Sequence, residues 1–329
     1  MRAVLCKAFG EPETLVVEET ADPAPGEGEL RVAVAAAGVN FADLLMVAGK
    51  YQEKPEFPFS PGLEVAGTVI DWGEGVAGFG KGDRVMAVAG TGGFAEQVVV
   101  KAVDVFKLLK EMPLETAAGF PIVSGTAYGA LNWRAHMAEG ESLLVLGAAG
   151  GVGLTTVEVG KAMGATVIAA ANGPERTAVA KSRGADHLID YRGENLRERV
   201  REITDNAGVD VVFDPVGGDF FDVALRCLGW EGRLIVIGFA SGKIPQAPAN
   251  ILLVKNCGVL GFYWGAYRRR EPERFKAAFD ALFKWFKAGK LKPHISQTLP
   301  LEQAGEALRT LAERRATGKI VLTTGSGDG

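Results

Sequence analysis

The sequence predicts an α/β protein with two parts, a β-rich module and a doubly wound domain built on a six-stranded parallel sheet. The 329 residues suffice for roughly two domains of ordinary size. Short apolar runs separated by Gly, Pro and Asp dominate residues 1–105. From position 114 onward, apolar runs alternate with amphipathic helical segments, which is typical of a parallel sheet covered by helices on both faces.

In the β-rich module, the strand candidates show alternation or short apolar runs. They are RAVLCKA, TLVVEET, LRVAVAAAGV, LEVAGTVIDW, DRVMAVA and FAEQVVVKA. One helical segment, NFADLLMVAG, interrupts them. This pattern predicts a contorted β-rich path rather than a repeating strand–helix unit.

In the second part, the helical segment PLETAAGFPIVSGTAYGALNWRAHM precedes the parallel series. The six strand candidates are SLLVLGA, TVIAAA, HLIDY, VDVVFDPVG, RLIVIGFA and CGVLGFY, which predict a doubly wound domain. Two more helices, RFKAAFDALFKWFKAG and LEQAGEALRTLAERR, precede a last strand, GKIVLTT. That strand has no partner in the parallel series, so we expect it to return to the β-rich module.

Charge and cysteine content restrict the function classes. A net charge of −4 gives no reason to expect a nucleic acid or an acidic membrane surface as partner. The cysteines Cys6, Cys227 and Cys257 are widely spaced and form neither a disulfide framework nor a zinc pattern, which favours a reducing compartment. No run approaches the length of a membrane span, and the first residues lack the apolar core of a signal peptide. We expect a cytoplasmic protein.

The glycine cluster LGAAGGVG follows the first parallel strand and opens a helix. In the fingerprint G-x-G-x-x-G, this chain has Ala148, Gly150 and Gly153 at the three fixed positions. Gly150 would let the backbone approach a pyrophosphate, and Gly153 would let the helix pack closely on the strand. The N–H groups at the helix start, including those of Gly151 and Val152, would face the pyrophosphate. A tight turn without a ligand is the alternative, but the flanking strands and helices favour a dinucleotide site.

The end of the second parallel strand indicates which dinucleotide binds. Asn172 stands where enzymes that read the bare ribose of NAD have an acid, and an amide does not repel a 2′-phosphate. Pro174 suits the first turn of the next helix, and Arg176 in that turn could pair with a phosphate. Glu175 weakens this interpretation slightly, and Arg176 as a solvated helix charge is the alternative. We predict NADPH as the cofactor.

Several ordered segments resemble a known family, the zeta-crystallin-like NADPH:quinone reductases of the medium-chain dehydrogenase/reductase superfamily. The segments are AAAGVNFADLLMVAGKY, PFSPGLEVAGTV, GDRVMAV, GTAYGAL, LGAAGGVG and GKIVL. The resemblance runs over essentially the whole chain. It implies a GroES-like catalytic domain over residues 1–121 and 263–329, a Rossmann NADPH-binding domain over 122–262, and an active site in the cleft between them.

The zinc-dependent branch of that superfamily carries Cys and His after the Gly-Val of the GVN segment, and His before the Glu of GLE. This chain has Asn40, Phe41 and Leu63 at those places and lacks a four-cysteine lobe. Phe and Leu cannot ligate zinc. The histidines are far apart, at His136, His187 and His294. We expect no metal, and a zinc-polarised alcohol oxidation is disfavoured.

The resemblance also implies roles for individual residues. Asn40 and Asp43 resemble the polar pair beside the nicotinamide, and Tyr51 resembles an aromatic residue that lines the quinone pocket. Leu45 stands where some quinone reductases have a second tyrosine. The residues matched to cofactor contacts are Thr126 at the carboxamide, Arg176 and Tyr191 at the 2′-phosphate, Gly238 and Phe239 in the turn after the fifth strand, and Phe262 and Trp264 at the nicotinamide end.

Structural alternatives stay open for several of these residues. Asn40 could cap the NFADLLMVAG helix, and Asp43 could complement its dipole. Tyr51 and Trp264 could be core or dimer-contact aromatics. Glu64 fits a structural ion pair better than an acid catalyst. The run Arg268–Arg270 fits a solvated face, or a surface that receives an acidic substrate such as a CoA ester.

The predicted function is metal-free, NADPH-dependent reduction of quinones or related electron-poor carbonyl compounds, with a proton from solvent. A reductase of enones or of enoyl- or acryloyl-CoA would share every cofactor motif. An NADPH-binding redox sensor without turnover is the alternative of a different class. The apolar last parallel strand, CGVLGFYW, could pair with its copy in a homodimer.

Overall fold

The computed structural model describes residues 1–325 and contains two compact units. The first unit comprises residues 1–122 and the C-terminal segment from 293 onward, and the second comprises residues 123–292. The segment 263–292, which the sequence analysis assigns to the catalytic domain, lies in the second unit. The physical reason is its aromatic side chains: Trp264 is 4% exposed and packs on Phe275 with ring centroids 4.7 Å apart.

The N-terminal part of the first unit is mostly β-structure, as predicted. Its strands are β1 (Arg2–Leu5), β2 (Val16–Glu19), β3 (Glu29–Val39), β4 (Glu64–Trp72), β5 (Arg84–Val88), β6 (Gln97–Lys101) and β7 (Val105–Lys107). Its helices are α1 (Phe41–Val47) and α2 (Leu114–Ala118), with 3-10 turns at Pro12–Thr14 and Ala102–Asp104.

Helix α3 (Pro121–Tyr128) leads into the second unit and continues as a π-helical segment, Gly129–Arg134. The strands that follow are β8 (Ser142–Leu146), β9 (Thr166–Ala171), β10 (His187–Asp190), β11 (Val209–Asp214), β12 (Leu228–Val236) and β13 (Gly258–Gly261). The helices are α4 (Gly151–Ala162), α5 (Pro174–Ser182), α6 (Leu196–Ile203), α7 (Asp219–Cys227), α8 (Ala249–Lys255), α9 (Trp264–Arg270) and α10 (Pro272–Lys287). The chain then returns to the first unit with β14 (Ile295–Pro300), the 3-10 turn Leu301–Gln303, α11 (Ala304–Ala312) and β15 (Lys319–Thr323).

The seven-stranded sheet of the first unit has the order β14-β15-β3-β4-β5-β7, and β6 pairs with β3 beyond this path. Strand β15 is antiparallel to β3, with Ile320 opposite Val39. The prediction that the last strand returns to the β-rich module is therefore confirmed. Strand β14, parallel to β15, was not predicted, because its residues are only half-buried or exposed and carry no apolar run.

The second unit contains the predicted six-stranded sheet, in the order β10-β9-β8-β11-β12-β13 with every pairing parallel. All carboxyl ends therefore lie along one edge of the sheet. The direction of strand addition reverses between β8 and β11, and ligands of such sheets bind outside the carboxyl ends at that reversal. The glycine cluster follows β8 and Asn172 follows β9, so both lie on this edge.

Burial explains why the two parts have different sequence patterns. Along β8, Leu143, Leu144, Val145 and Leu146 are all buried, because helices cover both faces of a parallel sheet. Strand β3 instead alternates half-buried and buried positions over most of its length. Among the helices of residues 1–325, none combines the length and the apolar character needed to cross a membrane.

Candidate active site

Four polar side chains of the first unit are buried together, and we call them the polar cluster. Asn40 follows β3, Asp43 lies in the first turn of α1, Glu64 begins β4 and Lys319 begins β15. Their exposed fractions are 7%, 0%, 0% and 4%. The antiparallel pairing of β3 with β4 and with β15 brings these strand ends together.

Lys319 is the centre of the polar cluster. Its ammonium group donates to the carbonyl oxygen of Val39 at 2.8 Å, to Asn40 Oδ1 at 2.8 Å and to Glu64 Oε1 at 2.7 Å. An ammonium group has three donors, so all of them are used. Lys319 is not among the predicted site residues, because no local pattern points to a residue that stands 255 positions from Glu64.

Glu64 is held as firmly as Lys319. Its Oε2 accepts the backbone N–H of Ile122 at 2.8 Å, and its Oε1 accepts both Lys319 Nζ and Asn40 Nδ2. Gly38 leaves the room for this carboxylate, because a Cβ there would lie 2.4 Å from Glu64 Oε1. The buried ion pair confirms the structural interpretation of Glu64.

The amide of Asn40 is fully engaged within the polar cluster. Its Nδ2 donates to Glu64 Oε1 at 2.9 Å and to the carbonyl oxygen of Gly38 at 3.3 Å, while its Oδ1 accepts from Lys319. Asn40 is also the N-cap residue of α1, and a capping box joins it to Asp43, as the capping alternative expects. A ligand that accepts a hydrogen bond from this amide must replace one of the two bonds that its Nδ2 donates.

Asp43 supports the backbone around the polar cluster. Its Oδ2 accepts the N–H of Asn40 at 2.8 Å, and its Oδ1 accepts the N–H of Gly62 at 3.1 Å. Burial raises the pKa of Asp43 to about 7, although these N–H groups and the charge of Lys319 oppose the rise. The side chain is 0% exposed and holds the turn at Gly62, and its place beside a nicotinamide stays a prediction.

Tyr51 lies four positions beyond α1 (51 − 47) and is half-buried. Part of its side chain packs against the hydrophobic core of the first unit. This placement is compatible with a partly exposed aromatic wall, and its role beside a quinone stays a prediction.

In the second unit, two glycines of the cluster differ in what surrounds them. A Cβ on Gly153 would lie 2.3 Å from the carbonyl oxygen of Gly147 and 2.9 Å from the Cα of Ala148, so close helix–strand packing requires glycine there. A Cβ on Gly150 would meet only the Gly147 carbonyl oxygen, at 3.4 Å, and its φ of −77° suits any residue. The protein itself therefore does not require glycine at position 150, whereas the approach of a ligand would.

The start of α4 fits a pyrophosphate. Gly150 precedes this twelve-residue helix and offers no side chain to cap it. The N–H groups of Gly151, Val152 and Gly153 lie in the first turn, where no intrahelical acceptor exists. Such groups, at the positive end of the helix dipole, bind anions. Ala148 is buried, and its N–H donates to the carbonyl oxygen of Ala170 in β9, which fixes the turn.

At the carboxyl end of β9, Asn172 has a basic neighbour that the sequence analysis missed. Arg192 Nε donates to Asn172 Oδ1 at 3.3 Å. Asp190 Oδ1 accepts the backbone N–H of Gly173 at 2.7 Å and that of Arg192 at 3.0 Å, so it ties the two chain segments together. The guanidinium lies over Gly173, where a Cβ would be 3.0 Å from Arg192 Nη2. The only sequence signal was the position of Arg192 next to Tyr191.

We call Asn172, Arg176 and Arg192 the basic end of β9. Arg176 lies in the first turn of α5, directly after the Gly173–Pro174 step, and is half-buried. The ring of Tyr191 packs on Phe220 of α7, with centroids 4.7 Å apart. Arg192 leaves its terminal nitrogens without a hydrogen-bond partner among residues 1–325. A planar guanidinium with two such nitrogens suits a phosphate.

The other predicted cofactor residues lie around α3 and the last parallel strands. Gly125 and Gly129, on either side of Thr126, leave room for the rings of Trp264 and Phe262, since added Cβ atoms would lie 2.1 Å and 2.4 Å from them. The structure thus brings the helix of Thr126 together with Phe262 and Trp264. The Trp264 indole is part of an aromatic core with Trp133, Phe275 and Phe279.

The ends of β11 and β12 also lie at the carboxyl-terminal edge of the parallel sheet. Gly238 and Phe239 follow β12, and the ring of Phe239 would lie 3.0 Å from a Cβ on Gly217. Asp214, the last residue of β11, is not among the predicted site residues. Its Oδ1 accepts the N–H groups of Val216 and Gly217, and burial raises its pKa.

Within 1–325, no set of three or more His, Cys, Asp and Glu side chains is placed to hold a metal ion. Phe41 and Leu63 occupy the places of two zinc ligands and supply no donor atom.

Two protein-family models match the chain. The model of the alcohol dehydrogenase GroES-like domain matches residues 26–110, and that of a zinc-binding dehydrogenase matches residues 183–322. The first model covers all of β3 to β7. The second begins in the second unit and ends in β15.

Curated relatives extend over nearly the whole chain. The quinone oxidoreductase-like protein 2 homolog of Nematostella vectensis is 43% identical over 98% of this chain and 89% of its own length. The quinone oxidoreductase-like protein 2 of Bos taurus is 38% identical over 98% of this chain and 92% of its own length.

Solved structures show the same architecture. The Escherichia coli quinone oxidoreductase complexed with NADPH superimposes with a TM-score of 0.93 at 30% identity, covering 98% of this chain and 100% of that one. The polar cluster and the glycine turn lie on this shared fold. The chain belongs to the quinone oxidoreductase-like, zeta-crystallin-like family of the medium-chain dehydrogenase/reductase superfamily.

Proposed function

We propose that this protein is a metal-free, NADPH-dependent reductase of quinones or related electron-poor carbonyl compounds. The observation that carries the proposal is the Arg192 guanidinium, held over Gly173 by Asn172 in a chain of the quinone oxidoreductase-like family. An acid at position 172 would repel a 2′-phosphate, whereas this arrangement attracts one.

The remaining contacts with the cofactor would lie along the carboxyl-terminal edge of the parallel sheet. The first-turn N–H groups of α4 would hold the pyrophosphate, with Gly150 allowing its approach. Arg176 and Arg192 would hold the 2′-phosphate. Thr126, Phe262 and the turn at Gly238 would surround the nicotinamide half. When bound, NADPH supplies the hydride.

The polar cluster would contribute by fixing the orientation of Asn40 relative to a bound ligand. Asn40 is fixed by Lys319 and Glu64, so its position beside a ligand would be set before the ligand arrives. Asp43, which is fully buried, acts as a positioning residue for the backbone of Asn40 and Gly62. Neither the cluster nor the glycine turn provides an exposed general acid, so solvent supplies the proton to the reduced oxygen.

The test is the oxidation of NADPH and of NADH, followed by the loss of nicotinamide absorbance, with 1,4-benzoquinone, a larger ortho-quinone, an enone and crotonyl-CoA. We expect turnover of quinones with a preference for NADPH and no effect of a chelator. Activity with crotonyl-CoA but not with quinones would move the assignment to an enoyl reductase. Tight NADPH binding without any turnover would identify a sensor.

A matched pair of variants tests the cofactor assignment. Arg192→Gln should raise KM for NADPH about tenfold and leave that for NADH unchanged, since a charged hydrogen bond is worth about 1.5–3 kcal/mol. Lys181→Gln, at the other end of α5, should change neither value. Equal effects of Arg192→Gln on both cofactors would contradict a 2′-phosphate role.

We further propose a cytoplasmic location and a homodimer formed through β13. This strand pairs only with β12 among the strands of residues 1–325 and is the last of the sheet. An unpaired edge is a template for a second copy. Elution as a monomer at working concentration would rule out this dimer.

A further inference from the structure

A groove in the second unit lies at the amino-terminal edge of the parallel sheet, opposite the carboxyl-terminal edge that carries the dinucleotide motif. It has a volume of about 400 Å³ and is bordered by the ends of α6, α7 and α8. Gly208 directly precedes β11 and Gly229 is the second residue of β12, so the groove lies at the amino ends of these strands. Small-molecule sites have volumes of roughly 300–1,000 Å³.

The lining of this groove is strongly basic, and we call it the basic groove. Its charged lining residues are Arg197, Arg201, Arg226 and Lys255, and it has no acidic lining residue. Among the described residues, none of these four cations forms an ion pair with a carboxylate. This concentration of positive charge occurs in a chain whose net charge is −4.

Helix dipoles account for only part of this charge. Arg201, Arg226 and Lys255 lie in the last turns of α6, α7 and α8, where cations are favourable. Three helix ends together supply about one and a half negative charges against four positive ones. The excess positive charge is left for a ligand or for solvent ions.

The donors of the basic groove are only partly used. Lys255 Nζ donates to the carbonyl oxygens of Arg226 and Leu228, which leaves one of its three donors. Arg201 Nε donates to Asn206 Oδ1 at 2.9 Å. The guanidinium groups of Arg197 and Arg226 have no partner among residues 1–325. Burial lowers the pKa of Lys255, and Arg197 and Arg226 lower it further, an effect that an anion would reverse.

Two glycines that line the groove lie where the chain segments before β11 and in β12 approach each other closely. Gly208 has a φ of +81°, and a Cβ there would lie 2.6 Å from the N of Gly229. A Cβ on Gly229 would lie 2.7 Å from the carbonyl oxygen of Ala207. Trp230, the next residue after Gly229, also lines the groove and is 67% exposed. An exposed aromatic face next to cations is the combination on which nucleobases stack while their phosphates are neutralised.

We propose that the basic groove binds a nucleoside di- or triphosphate, with the phosphates on Arg197, Arg226 and Lys255 and the base on Trp230. This site is separate from the carboxyl edge of the sheet and does not depend on the proposed reductase activity. The ligand is defined here by its chemistry, a flat ring joined to several phosphate groups.

The test is isothermal titration of the full chain saturated with NADPH, with sodium tripolyphosphate and with ATP as separate probes. Arg197→Gln combined with Arg226→Gln should weaken both probes at least about tenfold. Arg199→Gln is the matched control, because Arg199 lies on the same helix but pairs with Glu194 and Glu202. It should leave both affinities unchanged.

The variant Trp230→Ala distinguishes the contribution of the base to the affinity from that of the phosphates. We expect ATP to bind at least about fivefold more tightly than tripolyphosphate, and this difference to vanish in Trp230→Ala. Equal affinity of the two probes for the unmodified protein would overturn the nucleoside part of the proposal. Absence of saturable binding, equal binding by the double variant, or loss of ATP binding in Arg192→Gln instead, would overturn the site itself.

Discussion

The polar cluster of the first unit and the basic end of β9 in the second unit differ in burial and in how many of their hydrogen bonds are made. In the polar cluster, every side-chain donor of Lys319 and Asn40 and both oxygens of Glu64 are hydrogen-bonded, either within the cluster or to the backbone. At the basic end of β9, Arg192 makes one side-chain bond, to Asn172, and both residues are exposed.

The two sites therefore illustrate two kinds of binding group, one whose geometry is fixed by folding and one whose donors remain available to a ligand. A buried network is costly to leave half-satisfied, so its geometry is fixed by folding. An exposed arginine contributes little to folding and keeps its donors for a ligand. Substitutions in the polar cluster should therefore act mainly on stability, and those at the basic end of β9 mainly on affinity.

The strongest test of the comparison is Lys319→Met, which leaves Glu64 charged, buried and without its cation. Breaking a buried pair from one side costs about 3–5 kcal/mol, and we expect a loss of this size in the free energy of unfolding measured with urea. The double variant Lys319→Met with Glu64→Gln should lose less. Lys7→Met removes the exposed pair with Glu18 and should cost less than about 1 kcal/mol. If Lys319→Met lowered the free energy of unfolding no more than Lys7→Met does, the buried ion pair would matter no more for stability than the exposed one.

Within the second unit, the two glycines of the dinucleotide turn provide a matched pair. Gly153→Ala places a methyl group against the Gly147 carbonyl oxygen and should cost about 1–3 kcal/mol of stability. Gly150→Ala should change stability by less than about 0.5 kcal/mol and weaken NADPH binding by about tenfold or more, because the methyl group stands where the pyrophosphate would approach. Denaturant unfolding and titration with NADPH measure the two effects. Unchanged NADPH affinity in Gly150→Ala would argue against this turn as the binding site.

The pKa of Asp43 makes the polar cluster sensitive to pH. Its pKa is raised to about 7 in the folded protein from 3.8, so between these values the folded state binds more protons than the unfolded state. Stability should therefore fall as pH rises from 4 to 7, by up to about 1.4 kcal/mol per pH unit from this group. Asp43→Asn should flatten that part of the profile in urea unfolding from pH 4 to 8. An identical slope in the variant would show that other groups cause it.

The smallest expected effect on stability belongs to Arg192→Gln. Because the side chain is exposed and bonded once, the free energy of unfolding should change by less than about 0.5 kcal/mol. Thermal unfolding without cofactor should therefore match the unmodified protein, while the stabilisation by added NADPH should shrink. A large loss of stability without cofactor would place Arg192 among the structural residues, as in the polar cluster.

The sequence predicted most of the second unit because each parallel strand is a continuous apolar run followed by turn residues. The glycine turn and Asn172 were found because their chemistry depends on nearby positions. Strand β14 escaped prediction because it is not buried on either face. Lys319 escaped because a buried lysine looks like any other lysine until the strand pairing is known.

The partners of Asn40 and the extent of the second unit could not be predicted either, because both depend on residues that are distant in the sequence. The amide of Asn40 finds partners beyond the helix that it caps, because β4 supplies Glu64 and β15 supplies Lys319. The length of the second unit depends on where Trp264 packs, which is decided by Gly125 and the aromatic rings of α10 rather than by a local break in the sequence.

The pairing of β15 with β3 has a consequence for the order of biosynthesis. A ribosome releases the second unit as one uninterrupted segment, whereas the first unit waits for residues that are translated after it. Until Lys319 has emerged, Glu64 lacks its cation and the end of β3 lacks a neighbour on one side. A chain cut short before β15 would therefore lack the cation for Glu64 and keep one edge of β3 open, and an open edge is a template for pairing with another chain.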